Sequence, residues 1–177
     1  GFGDVKSINA TAFGDVARAM GNGTCSLTHQ ASYFDEFLID PKNGNTSVGP
    51  DKDIWAFITP SVEAGGKAVI GGGEIVAAFS NDADTIKVQQ YLSSPEWANS
   101  RVKLGGVISA NNGLDPANAS SPILQESVRI LQDQRTTFRF DGSDLMPRPV
   151  GAGSFWTGMV DWINGKPVDK VLNTIDG

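Results

Sequence analysis

The chain has 177 residues, 40% of them hydrophobic, with 14 Lys and Arg against 20 Asp and Glu and a formal net charge of −6. That length can build one sizeable core, the acidic balance argues against nucleic acid as a partner, and no apolar run approaches the roughly 20 residues of a membrane span. A single cysteine, Cys25, and a single histidine, His29, exclude an internal disulfide, a cysteine-rich metal site and any His-pair metal motif. No metal and no cofactor are expected, and an export signal, if there is one, is expected outside these residues.

In chain order, Phe13, Val16, Ala17 and Met20 fall at i, i+3, i+4 and i+7 in INATAFGDVARAMGNG. This is one apolar helix face, stopped by Gly21 and Gly23. TCSLTH reads as a short buried strand that holds Cys25 as a small core residue. ASYFDEFLI is a short helix or turn with three aromatics, and residues 40–53 form a polar loop. IWAFITP reads as a strand ended by Pro60, SVEAGGKAVIGGG as an apolar Gly-rich connector, and EIVAAFS as a second buried strand.

A helix follows at NDADTIKVQQYLSS, with Asn81 or Asp82 as cap and Val88, Tyr91 and Leu92 on one face. In SPEWANSRVKLGG, Ser94 caps, Pro95 opens the first turn and Gly105 ends the helix. VISANNGLDPANAS is a loop, and SPILQESVRILQDQR a helix with Ile123, Leu124, Val128 and Leu131 inward. Residues 136–153 look irregular. SFWTGMVDWING is a helix with a stripe of Phe155, Met159, Trp162 and Ile163, and the last helix turns Val168, Val171, Leu172 and Ile175 inward. The pattern is helix-rich with a few short strands, an α/β or α+β class.

Catalytic constellations are poorly supplied. No GxSxG occurs, and the lone His29 has Ser32 nearby but no carboxylate paired by spacing. Glu74, Asp141 and Asp144 are the candidates for a paired-carboxylate glycoside hydrolase, because such pairs meet only in the fold. Each of them also reads as a cap, a turn residue or an acceptor for a ligand hydroxyl. Gly71, Gly72 and Gly73 lack the GK[ST] of a phosphate loop. They mark either close backbone packing or a place where a ligand meets exposed N–H groups. Trp97 and Trp162 fall on inward helix faces. Trp156 lies one residue off its helix's apolar stripe, and Tyr33 opens a short helix, so either could offer an open ring face to a sugar.

Four blocks in order carry a resemblance to a known family: AFGDVARAMGNGTCSLTHQASYF, DIWAFITPSVEAGGKAVIGGGEIVAAFS, NDADTIKVQQYLSSPEWANS and DGSDLMPRPVGAGSFWTGMVDWINGKPVDKVLNTID. They resemble the carbohydrate-specific extracellular solute-binding proteins of bacterial ABC importers, the family of maltose-binding protein. The third block is similar to the family's YL-(T/S)-SPE helix pair, and the fourth to its MP…FW motif and final helix. Only the C-terminal portion of the family pattern is matched. The resemblance implies a periplasmic-binding-protein-like α/β fold, with 1–62 and 112–177 in the C-terminal lobe and 63–111 a crossing and segment lent to the N-terminal lobe. The N-terminal half of a parent chain would be a further partner.

The same resemblance implies a non-enzymatic importer component, periplasmic or held at the cell surface as a lipoprotein, that delivers an oligosaccharide to ABC permease subunits. Trp156 matches the family's sugar-stacking Trp, and Tyr33 its stacking aromatic after the core strand. His29 and Gln30 fall at that strand's exit, and Gly72, Gly73 and Glu74 where the crossing faces the cleft. Asp144 and Arg148 are further candidates. A glycoside hydrolase, or a binder of a non-sugar solute on the same scaffold, are the competing expectations.

Overall fold

A computed structural model describes residue 5 and residues 12–44, 46–62 and 65–176. The first residues of the predicted opening helix, 8–11, lie outside them. The described residues form seven α-helices: α1 (Phe13–Gly21), α2 (Asp35–Ile39), α3 (Ala83–Leu92), α4 (Pro95–Arg101), α5 (Pro122–Gln132), α6 (Trp156–Ile163) and α7 (Val168–Asp176). One two-stranded sheet pairs β1 (Ala68–Gly71) with β2 (Thr137–Phe140). The chain divides into two compact units. The larger takes residues 13–69 and 73–138, the smaller residues 1–12, 70–72 and 139–177, and the boundary falls within both strands.

The larger unit is organised on α5. Ser121 caps the helix by accepting the Leu124 N–H at 3.2 Å, and Pro122 sits in the first turn, where a missing N–H costs nothing. On one side Ile123 packs with Ala17, Phe34 and Leu38, so α1 and α2 close over it. On the other side Leu124 and Val128 pack with Ala98, Val102, Leu114 and Ala119. Of the four residues predicted inward, Leu131 alone is largely exposed.

The loop before α5 is tied down by amides. Asn99 donates to the Pro95 and Gly113 carbonyls and accepts from the Asp115 N–H and the Asn118 amide, at 2.8–2.9 Å. Asn111 donates to the Ser93 carbonyl at 2.6 Å. The predicted stop at Gly105 is seen: its φ of 84° and the 72° of Gly106 turn the chain out of the helix. Asp82 is the cap of α3, accepting the N–H groups of Asp84 and Thr85, and these bonds, with the Ser80 hydroxyl first among them, hold its carboxyl well below the usual range.

Several expected elements are absent among the described residues. Residues 24–29, 55–60 and 74–80 are not strands, although Ile54 forms an isolated parallel bridge with Val48. Cys25 is half-buried, its thiol donating to the Leu27 carbonyl at 3.4 Å, so it is not a core residue of a strand. The physical reason is common to all three runs. Apolar, β-branched sequence becomes a strand only when a neighbour supplies backbone partners, and among the described residues no strand pairs with 24–29, 55–60 or 74–80. Helix α3 likewise buries no residue, and Val88 and Tyr91 stand exposed.

The strand that does form lies in the predicted connector. The Thr137 N–H donates to the Lys67 carbonyl at 2.7 Å and the Asp141 N–H to the Gly71 carbonyl at 2.9 Å. Both strands advance four residues between these bonds, so they run parallel. Asp133 receives both the Lys67 ammonium at 2.9 Å and the Arg135 guanidinium at 2.8 Å.

The last two helices pack through a glycine. A Cβ on the buried Gly158 would stand 3.0 Å from both Val171 and Ile175. Val171 is buried, whereas Val168 and Leu172, predicted inward, are exposed. Trp162 is corrected in the same way: it is 55% exposed and not core. The contact centres on the smallest residue of α6 because that permits the closest approach of the two helices, which turns the bulky stripe away.

Two predictions follow from this packing. Gly158→Val should lose about 1–3 kcal/mol, the range for overpacking a tight contact, read as a lowered urea midpoint; an unchanged midpoint would refute the close seat. The second concerns the buried Asp35, whose Oδ2 accepts the Ser121 hydroxyl while Oδ1 has no partner. Burial raises its pKa, the Ser121 bond opposes the rise, and Glu36 adds to it. A raised folded-state value means its stabilising contribution is complete below the unfolded carboxylate range and fades as pH climbs through the folded value. Asp35→Asn should therefore be at least as stable as the parent at pH 7, with the difference shrinking towards pH 4. Chemical denaturation at both pH values checks this; a difference that widened on acidification would be the opposite sign.

Candidate functional site

The candidate residues fall in both units, and each group is best built separately. In the smaller unit, the chain leaves β2 into a turn closed by Asp141. Its carboxylate accepts the Ser143 N–H at 2.9 Å and the Ser143 hydroxyl at 2.8 Å, which holds its pKa below the ordinary value. A carboxylate so held accepts hydrogen bonds at neutral pH and is poorly suited to the proton-donating role of a glycosidase acid.

Asp144 follows in the same turn, its N–H bonded to the Asp141 carbonyl at 3.2 Å. Its carboxylate lies against Gly72, so closely that a side chain at that position would displace it. Two of the predicted site residues, Gly72 and Asp144, are thus neighbours. Among the alternatives open for the glycine run, close packing holds at Gly72, while the space around the position of a Cβ on Gly73 is empty.

Residues 149–153, expected to be irregular, join Ser154 and Phe155 of the expected helix in a π-helix, Pro149–Phe155, that runs without a break into α6. The chain enters it through a tighter turn, in which the Pro147 carbonyl accepts from Val150 at 2.8 Å and Gly151 at 2.9 Å. Gly151 sits where a Cβ would come within 2.9 Å of the Ser143 carbonyl, so the turn and the π-helix press together at a residue without a side chain. Such widened turns are uncommon and recur at functional positions. Sequence reasoning missed this one; the PVGAG spacing of small residues was the available signal.

Trp156 is the first residue of α6 and is 70% exposed. At 100° per residue it lies about 160° around the helix from Gly158. The helix therefore seats one side against α7 and carries the indole on the opposite side. Phe155, one residue back, is half-buried.

In the larger unit, His29, Gln30 and Tyr33 lie on the chain between α1 and α2. Tyr33 donates its hydroxyl to the Gln30 Oε1 at 3.1 Å, and the same oxygen accepts the Ala31 N–H at 3.3 Å. The Tyr33 ring is 40% exposed and meets Phe13 edge-on, with centroids 6.0 Å apart. Phe13 also contacts Phe34 and Phe37, so one edge of the tyrosine is fixed by an aromatic group while part of the ring stays open. His29 is exposed, as are Gly73 and Glu74. Gln30 and Tyr33 are thus brought together, while Gly73 and Glu74 stand on an extended segment of their own.

Among the described residues, no group of three or more His, Cys, Asp or Glu side chains is placed to hold a metal ion, and no helix is long and apolar enough to cross a membrane.

The chain is similar to two characterised proteins. It is 30% identical over 178 residues, 99% of its own length, to the osmoprotective compounds-binding protein GgtB of Synechocystis sp.. It is 31% identical over 169 residues, 93% of its length, to the alpha-glucosides-binding periplasmic protein AglE of Rhizobium meliloti. It spans 40% of the length of the first and 35% of the second. No family model matches the chain, and no solved structure matches it significantly. Nearly all of the chain's length thus aligns with a part of each of these two binding proteins.

Proposed function

We propose that this chain is the C-terminal portion of a carbohydrate-binding protein that serves a bacterial ABC importer, taking up an α-glucoside or related oligosaccharide outside the cytoplasmic membrane and presenting it to permease subunits. The observation that carries this reading is the nearly end-to-end relationship to two binding proteins, one of them named for alpha-glucosides. In this reading residues 1–62 and 112–177 belong to one lobe and 63–111 to a crossing and the other lobe.

The chemistry of the candidate residues supports a sugar. A pyranose has a C–H-rich face that packs on an aromatic ring and a rim of hydroxyls that need polar partners. Trp156 offers an open indole on a helix whose far side is anchored. Tyr33 offers a second, partly open ring already bonded to Gln30. Asp144, Gln30, His29 and Glu74 supply acceptors and donors for hydroxyls, and Gly73 leaves its backbone open to a ligand. Binding, with no bond made or broken, is all these groups are asked to do.

The test is calorimetry on the full-length protein with a panel of α-linked glucosides. Trp156→Ala should weaken binding by at least about 30-fold, the cost of losing a central aromatic contact, while Trp162→Ala, on the same helix and also exposed, should change it by less than about threefold, within the small effects of ordinary contact residues. Equal losses would remove the stacking role from Trp156. Failure of the wild type to bind any glucoside would turn the reading towards a non-sugar solute.

A further inference from the structure

The polar ends of Gln30 and Tyr33 are committed to one another in a way that gives what remains of them a direction. The Ala31 N–H donates to the Gln30 Oε1 at 3.3 Å. A backbone N–H can only donate, so the end of the amide that faces it is the oxygen. The Tyr33 hydroxyl meets the same oxygen at 3.1 Å and is the donor there, which spends its one proton. Two donors fill the two lone pairs of that oxygen. What remains on Gln30 is Nε2, which donates and has no partner among the described residues. What remains on Tyr33 is an oxygen that can only accept.

The backbone beneath the pair is held. Ser32–Phe34 forms a single tight helical turn, closed by the Phe34 N–H on the Ala31 carbonyl at 3.0 Å, and Phe34 is buried. Phe13 fixes one edge of the Tyr33 ring. Gln30 and Tyr33 are themselves exposed, so both polar ends are open to a ligand.

We propose that Gln30 and Tyr33 together bind one hydroxyl of the ligand, which donates to the Tyr33 Oη and accepts from the Gln30 Nε2, and that Gln30 is the positioning residue that makes the phenol an acceptor. The inference rests on the reading above that these residues face a bound solute, and it names the class of group they take. Only a group that both donates and accepts satisfies the pair, and a neutral hydroxyl does so. A carboxylate has no proton for the Tyr33 oxygen, and an ammonium has no lone pair for the Gln30 nitrogen. Either would have to break the Tyr33–Gln30 bond to gain two bonds of its own, so a solute carrying only such groups is the poorer fit.

Calorimetry on the full-length protein tests this. The ligands are α-linked glucose disaccharides, acyclic polyols and glycine betaine, a zwitterion without a hydroxyl. Each hydroxylated ligand that binds is offered again with single hydroxyls replaced by hydrogen. One such replacement should weaken wild-type binding about tenfold, the worth of the two hydrogen bonds together. The same replacement should cost Gln30→Ala and Tyr33→Phe less than about threefold, because the partner is already gone. A merely structural role for Gln30 would weaken every analogue alike and leave the tenfold loss in place, which overturns the proposal. A glucoside bound with no hydroxyl coupled to the pair sinks this inference alone. A polyol bound where no glucoside is, with one hydroxyl coupled to the pair, sinks only the functional reading. Binding of glycine betaine alone, or of nothing in the set, sinks both.

Discussion

Helix α5 buries Ile123 on one side and Leu124 with Val128 on the other, and so contributes to both apolar clusters described in the larger unit. Each such side chain contributes about 1.5–3 kcal/mol when removed from water. The helix start is held by Ser121, which accepts from the backbone and at the same time donates to the buried carboxylate of Asp35 on α2. One hydroxyl therefore closes the helix end and joins it to the helix that carries Leu38 and directly follows Phe34. The cost is a carboxylate in a poor place for charge, with one oxygen unpartnered. The position of α2 and of the Gln30–Tyr33 segment that leads into it follows from that joint.

The smaller unit solves a different problem. It carries an exposed aromatic ring, Trp156, at the start of a short helix. The seat is Gly158 against Val171 and Ile175, and the lead-in is a π-helix pressed through Gly151 against the turn at Ser143. Both contacts depend on missing side chains. The ring is thus aimed by two glycines and a turn, and nothing in the described contacts asks it to serve as core.

The helices were largely legible in the sequence because their signals are local. Asp82, Ser94 and Ser121 cap where Ser or Asp precedes an apolar period, Pro95 and Pro122 open first turns, and Gly105 turns the chain out. Strands were not, because a strand is decided by its neighbour. TCSLTH, IWAFITP and EIVAAFS have the right residues and lack a pairing edge, while AVIG, read as a connector, found one in residues 137–140. Helix phase on α6 was misread for a related reason. The stripe of large residues suggested Trp162 as core, whereas close helix approach favoured Gly158. Spacing set Trp156 one residue off the stripe of Phe155, Met159 and Trp162, whereas the packed face is that of Gly158, so neither its position opposite that face nor the widened turns before it were legible.

A π-helix holds one more residue per turn than the α-helix it joins. The bearing of the indole relative to Gly158 is set within α6, whereas the turn at Ser143 is placed relative to that helix by the number of residues between them. A single-residue deletion in 149–155 would leave Trp156 and the Gly158 seat in the same relation, yet rotate the turn at Ser143 about the helix axis by roughly 100° relative to the indole. The length of this short stretch is then as informative about where the turn stands relative to the indole as the identity of any residue in it.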